Sequence, residues 1–337
     1  MSIKLDNLTY WLKKFYNKTM RNLTKIEHYV PQVYLNNFCA EQIKNKFLIW
    51  KYDKEKCLFS KVNISDVCVQ NFFYDIKKSE IQEYAQTMED DKLIDFPNSI
   101  LNEDQPLEKF FSVYVEGELF NKIKKIINLY NENKEDLGKL DKLRISDEDL
   151  FYCSLYSQYQ WLRTPDMKQM LDKMGEDANK GILEILDSYT GDQKDTEQIR
   201  KEIKFSETKL AKKRTHHEIL FDAKHMTGMA NIFYHMYKWI FLYSQDHLFL
   251  TSDNPTIFDG YYSQKNIPLF FPLTPNICAA LIHEDDKKNY EKYDNGSFVK
   301  CSNDCVKYIN MLTFHNANKI VLSSINNDDD IKKTLFN

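Results

Sequence analysis

The chain has 337 residues, 42% of them hydrophobic and 14% aromatic, with only eight glycines and eight prolines. That length can bury a sizeable core, and so little glycine argues against a Gly-rich nucleotide fold and a multi-turn β-sandwich, which leaves a helix-rich globular protein. A net charge of −4 excludes a global nucleic-acid footprint, and seven scattered cysteines with no signal peptide before them read as free thiols in a reducing cytoplasm.

Residues 4–20 read as an amphipathic helix, with Leu5, Leu8, Trp11, Leu12 and Phe15 on one stripe. Residues 1–25 hold six bases against one acid, so this segment is +5 and the remainder is −9. A basic extension over 1–26 is therefore expected. It docks on its own domain or a second copy, or else it meets a protein partner or membrane surface.

The stretch His28-Tyr29-Val30-Pro31-Gln32 follows. It reads as a helix entrance, with Tyr34, Leu35 and Phe38 at helical spacing behind it. A His in that place feels the helix N-terminus, which lowers an imidazole pKa. Residues 47–52 and 57–62 read as a hairpin around the turn at 53–56, and 67–69 with 72–74 as further short strand. Residues 77–108 carry nine acids against three bases, the mark of a solvated face or loop.

The middle of the chain, 106–245, reads as helical. Helices are expected at 107–129, 147–162, 167–188, 201–213 and 225–243, with Ser146 capping the second. The most apolar run, 232–250, is interrupted by His235, Lys238, Gln245, Asp246 and His247, so no transmembrane segment is expected. Strands are expected at 247–251, 267–273, 277–283 and 319–323. Strands at both ends around a helical centre predict one α+β domain over 27–330, with a small sheet built from the N-terminal and C-terminal strands.

Few residues have chemistry to offer. His28 has the right ordinary pKa for acid–base work, or it staples the helix entrance through a backbone carbonyl. Gln160 and Arg163 share a helix face, and Thr164-Pro165 ends that helix. Arg163 either clamps a phosphate or carboxylate, or forms a buried ion pair with Glu116 or Asp253. Asp253 closes a strand, where it would hold Mg²⁺ or orient His28, or with Asn254 makes an Asx-type turn before Pro255. His216, His217 and His225 match no metal spacing and read as structural or surface residues, and Cys301 with Cys305 makes a poor zinc site. Phosphate-loop, dinucleotide-binding and nucleophile-elbow signatures are absent.

Taken in order, several pieces carry a family resemblance. They are His28-Tyr29-Val30-Pro31-Gln32 with Tyr34-Leu35 and Phe38, Gln160-Trp161-Leu162-Arg163-Thr164-Pro165, Trp239, Phe249 to Pro255, Pro272-Leu273-Thr274-Pro275 and Asn310. Together they resemble a bacterial family known as domain of unknown function 4238, with the first 25 residues outside its pattern. The label implies a fold unit and no reaction. The occurrence of such families beside bacterial defence genes would imply a nuclease or toxin.

Two functions follow as expectations. The first is a phosphodiester-cleaving enzyme of bacterial stress or defence. In it His28 is the acid/base, Arg163 the phosphate clamp and Asp253 the Mg²⁺ ligand or His-orienting group, while Gln32, Gln160 and Asn254 position a nucleic-acid substrate. The lysines of 1–25 would add phosphate affinity, and the acidic remainder requires a local basic groove. The second is a non-enzymatic binding or regulatory protein that docks a partner, or itself, through residues 4–20. The first needs His28, Arg163 and Asp253 in one solvent-open pocket. The second needs them buried and mutually satisfied.

Overall fold

A computed structural model describes residues 26–71, 73–74, 106–189, 193–221, 223–260 and 268–326. The helix expected over 4–20 and most of the acidic run lie outside the described residues. The chain divides into two compact units. One gathers His28–Gln70, Val113–Thr164 and Lys224–Asn337, and the other Met1–Glu27, Asn71–Ser112 and Pro165–Ala223.

The first unit holds the sheets. The strand β1 (Ile26–His28) enters it and leads to a one-turn helix, α1 (Gln32–Leu35). Then come β2 (Glu41–Ile43), β3 (Lys46–Asp53), β4 (Leu58–Asn63) and β5 (Val69–Asn71). The hairpin read from the sequence is β3–β4, paired from Leu48–Asn63 to Asp53–Leu58. A short helix of the other unit, α2 (Pro106–Phe110), runs into a π-helical stretch, Phe111–Leu119, which continues in this unit as α3 (Phe120–Asn133). After α4 (Leu137–Leu140) comes α5 (Asp147–Leu162), where Ser146 Oγ accepts the Asp149 N–H at 3.2 Å, the cap that the sequence announced.

The second unit is helical, with α6 (Pro165–Ser188), α7 (Gln193–Ser206) and α8 (Lys209–Phe221). The helix expected over 201–213 is thus two helices. Thr208 breaks it, because its hydroxyl accepts the Ala211 N–H at 3.2 Å and starts α8 afresh.

The chain then returns through α9 (Ala223–His235) to β6 (Tyr237–Tyr243), β7 (Thr251–Ser252), β8 (Ile257–Phe258), β9 (Leu269–Thr274) and β10 (Ile277–His283). It ends in α10 (Lys287–Tyr290), β11 (Ser297–Lys300), α11 (Asn303–Asn316) and β12 (Ile320–Ser323). The expected helix over 225–243 is a correction: its second half is a strand. Every residue from Trp239 to Tyr243 is buried. β6 is paired on both edges, by β10 and β11, and since successive side chains point to opposite faces, the unbroken burial means that both faces are covered and no periodicity marks it.

The α+β class holds. One five-stranded sheet has the order β2-β3-β12-β7, with β4 added on β3, and here an N-terminal strand, β3, meets the last strand, β12, Tyr52 opposite Val321. The second five-stranded sheet, β11-β6-β10-β9-β8, comes wholly from the last third of the chain. The sheets are therefore not all built from the chain ends. Among the described residues no helix is long and apolar enough to cross a membrane.

Gly296 locks α5 to the second sheet. Its φ is +74°, its N–H donates to the Trp239 carbonyl at 2.7 Å, and its own carbonyl accepts the Ile145 N–H at 3.0 Å. A Cβ there would stand 2.7 Å from the Ile145 oxygen. Gly296→Ala is therefore expected to cost at least about 1–2 kcal/mol from the left-handed backbone alone, read as a lower urea midpoint at unchanged slope.

Candidate functional site

His28 does not stand at a long helix entrance. It is the last residue of β1, and the helix beyond Pro31 lasts one turn before a 3₁₀ turn at Asn36–Phe38. A four-residue helix has little dipole to offer, so another cause must set the His28 pKa. The cause is burial, which lowers it below the usual 6.5, and the Arg163 charge lowers it further. A hydrogen bond to the Ser65 carbonyl and the charges of Glu116 and Asp66 oppose these. The ring nitrogen facing Ser65 carries the proton. The other, Nε2, is buried without a hydrogen-bond partner. That assignment makes Nε2 the basic nitrogen.

The backbone around His28 is gripped by α5. Gln160 Nε2 donates to the Tyr29 carbonyl at 3.3 Å, and the Arg163 guanidinium donates to the His28 carbonyl. Arg163 also pairs with Glu116, Nη1 to Oε1 at 3.2 Å, from a position only 1% exposed. Glu116 lies in the π-helical stretch, a geometry common at functional sites. The buried ion pair with Glu116, one of the two partners read from the sequence, is thus formed, and Arg163 is committed to internal partners. Two other buried atoms on the same face of α5, Gln160 Oε1 and Tyr156 Oη, also lack hydrogen-bond partners. Burial pushes the Tyr156 phenol up, and the Glu116 charge adds to it.

Behind His28, Tyr34 and Asn37 anchor the segment to strands. The Tyr34 hydroxyl donates to the Pro272 carbonyl at 2.6 Å and meets Thr251 Oγ1 at 2.7 Å. Asn37 Nδ2 donates to the Leu273 carbonyl at 3.1 Å. Tyr34 stacks on Phe271 with centroids 5.4 Å apart. Gln32 is exposed on α1.

Asp253 is buried, and its carboxylate is taken up by backbone. Oδ1 accepts the Asn318 N–H at 2.9 Å, and Oδ2 accepts those of Lys319 and Ile320 at 2.7 and 3.1 Å. This holds the entry to β12. Asn254 closes the same turn: its N–H reaches Ser252 Oγ at 3.1 Å and its amide donates to the Asn316 carbonyl at 3.2 Å. Both residues are arranged as a turn clamp. Asp253 does not fit a Mg²⁺ ligand, since both its oxygens already accept N–H groups. No group of three or more His, Cys, Asp or Glu side chains is arranged to hold a metal among the described residues. Asp253→Ala removes the acceptor of three part-buried N–H donors and is expected to cost about 1–3 kcal/mol, measured by thermal melt, with Asp253→Asn intermediate.

The structure therefore brings His28, Gln160 and Arg163 together, with Glu116 and Ser65 added. Ser65 has no sequence signal, because it contributes only a backbone carbonyl. His216 is buried against the Phe73 and Tyr74 rings, and His225 is exposed.

A family model described as protein of unknown function (DUF4238) matches residues 27–327. The chain belongs to this family. No curated protein and no solved structure matches it. In this DUF4238 chain the pieces that carried the resemblance bond to one another. Gln160 and Arg163 hold His28 and Tyr29, while Tyr34 and Asn37 hold the strands at Thr251 and at Pro272-Leu273. Asn310 takes the place of a missing strand partner: Oδ1 accepts the Leu250 N–H and Nδ2 donates to the Leu248 carbonyl, each at 2.9 Å. Most of these motif residues are joints of the fold, and His28 is the one whose buried, unpartnered atom is a titratable nitrogen.

Proposed function

We propose that this chain is a phosphodiesterase acting on nucleic acid in bacterial stress or defence, with His28 as its proton-transfer group. The observation that supports it is the unpartnered Nε2 of an imidazole whose other nitrogen is held by Ser65 and whose backbone is held by Arg163. A lowered pKa keeps that nitrogen unprotonated at neutral pH, as a general base requires. Nε2 takes the proton of the attacking hydroxyl, either water or an RNA 2′-OH. The new P–O bond forms as the bond to the leaving oxygen breaks, and the imidazolium returns the proton to that oxygen. Arg163, already paired inside, is a positioning residue in this scheme.

The pH dependence follows in sign. The folded pKa of His28 lies below 6.5, so below pH 6.5 the unfolded chain binds the proton first. The stability linked to His28 is full above pH 6.5 and is lost as pH falls through the folded value. Melts of wild type against His28→Gln between pH 7.5 and 4.5 are expected to converge toward the acid side as the wild type loses that contribution.

The test is cleavage of defined RNA and DNA oligonucleotides by purified protein. Cutting by wild type and none by a folded His28→Gln variant supports the proposal. Equal cutting by both, or no cutting by wild type, overturns it. The second reading, a binding protein, is favoured by the internal commitment of Arg163 and Asp253. It predicts that His28→Gln alters stability and no activity. Its proposed working surface, residues 4–20, lies outside the described residues.

A further inference from the structure

Away from His28, the first unit carries an open cleft of about 390 Å³ where α4 and the 141–144 turn face the chain from Lys292 to Lys300. We propose that this cleft binds a nucleoside monophosphate, phosphate toward Ser297, Lys292 and Lys300, and base against the aromatic wall. The proposal goes beyond the His28 site and stands independently of it.

Ser297 is the first reason. It is only 5% exposed and lines the cleft, yet its hydroxyl has no hydrogen-bond partner. Its backbone is fixed, with the N–H on the Asp294 carbonyl at 3.2 Å and a β-bridge to Arg144. The hydroxyl is thus a buried polar group in the cleft wall with no protein partner, and leaving such a group unsatisfied is costly.

Charge is the second reason. Three cations line the cleft, Arg144, Lys292 and Lys300, against two carboxylates, Asp141 and Asp294. The Arg144 guanidinium is aimed by its donations to the Asp141 and Leu143 carbonyls at 2.6 and 2.8 Å. Its other nitrogen pairs with Asp294 at 2.6 Å and holds that carboxyl below its usual range. The remaining lysines are exposed and enter no ion pair among the described residues. A net positive cleft of this size suits one phosphate group better than a polymer backbone.

The wall supplies the third reason. Tyr243 and Phe298 are buried at the back, and Tyr130 packs on both, with centroids 5.8 and 6.4 Å away. Tyr293 is half-buried at the mouth, with Lys292 Nζ 4.8 Å from its ring centroid. An aromatic face beside a lysine favours a planar base over a bare anion.

The experiment is calorimetric titration of the full chain with AMP, adenosine and inorganic phosphate. AMP is expected to bind saturably and about tenfold or more tightly than either fragment, because phosphate and base contacts combine. Lys300→Glu and Lys292→Glu are expected to weaken AMP about tenfold each, and Ser297→Ala several-fold. His28→Gln is expected to bind as wild type does, so loss of cleavage with intact AMP binding separates the two sites. No saturable AMP binding, or charge-reversed lysine variants that bind like wild type, overturns the proposal. Both lysines are exposed, so these variants are expected to fold, which a thermal melt checks. Binding of phosphate as tight as AMP overturns the nucleotide assignment.

Discussion

His28→Gln is expected to lower the rate of nucleic-acid cleavage by about 10²- to 10⁴-fold, the usual contribution of a positioned general acid–base group. The glutamine amide can still donate to the Ser65 carbonyl that the imidazole uses, so the local fold has a substitute. What it lacks is a nitrogen that can accept a proton. Rates measured under saturating substrate, beside a melt within a few degrees of wild type, isolate the chemical role. In wild type the rate is expected to fall on an acid limb below pH 6.5, because burial lowers the His28 pKa, and the variant is expected to show no such limb. A variant with a wild-type rate would remove His28 from the reaction.

Arg163→Ala is expected to destabilise the protein by about 3–5 kcal/mol, since breaking one partner of a buried pair leaves the other uncompensated. Here the loss is double. Glu116 keeps a carboxylate without its guanidinium, and the His28 carbonyl loses its donor. Adding Glu116→Gln is expected to recover part of the loss, because it removes the stranded charge. Arg163→Lys keeps the charge without the fork and is expected to fall between. A urea titration checks all three. The same variants report on His28: the Arg163 charge lowers its pKa, so its removal raises the acid limb of any activity. A purely structural arginine would leave that limb in place. An Arg163→Ala chain as stable as wild type would show that the pair carries no weight in the fold.

The candidate site was partly legible. A carboxylate partner for Arg163, Glu116 or Asp253, is legible because a buried arginine needs one, and Asp253-Asn254-Pro255 is legible as a turn because Asx residues before proline satisfy local N–H groups. The state of His28 was not legible. It rests on the Ser65 carbonyl, and every residue type carries a carbonyl. The open cleft at Ser297 was equally hidden, since its cations and aromatics come from segments some 150 residues apart, as Arg144 and Asp294 are.

By itself the sequence determined the α+β class, the β3–β4 hairpin, and α5 with its Ser146 cap. These depend on periodicity, turns and caps that act within a few residues, so a short window holds the whole cause. Only the tertiary structure decided that 237–243 is a strand, that Arg163 reaches a carbonyl 135 residues away, and that three N–H groups beyond Asn316 consume Asp253. Those outcomes depend on which backbone donors and acceptors come to lie opposite one another after packing. A buried apolar run fits either secondary structure until its neighbours are in place.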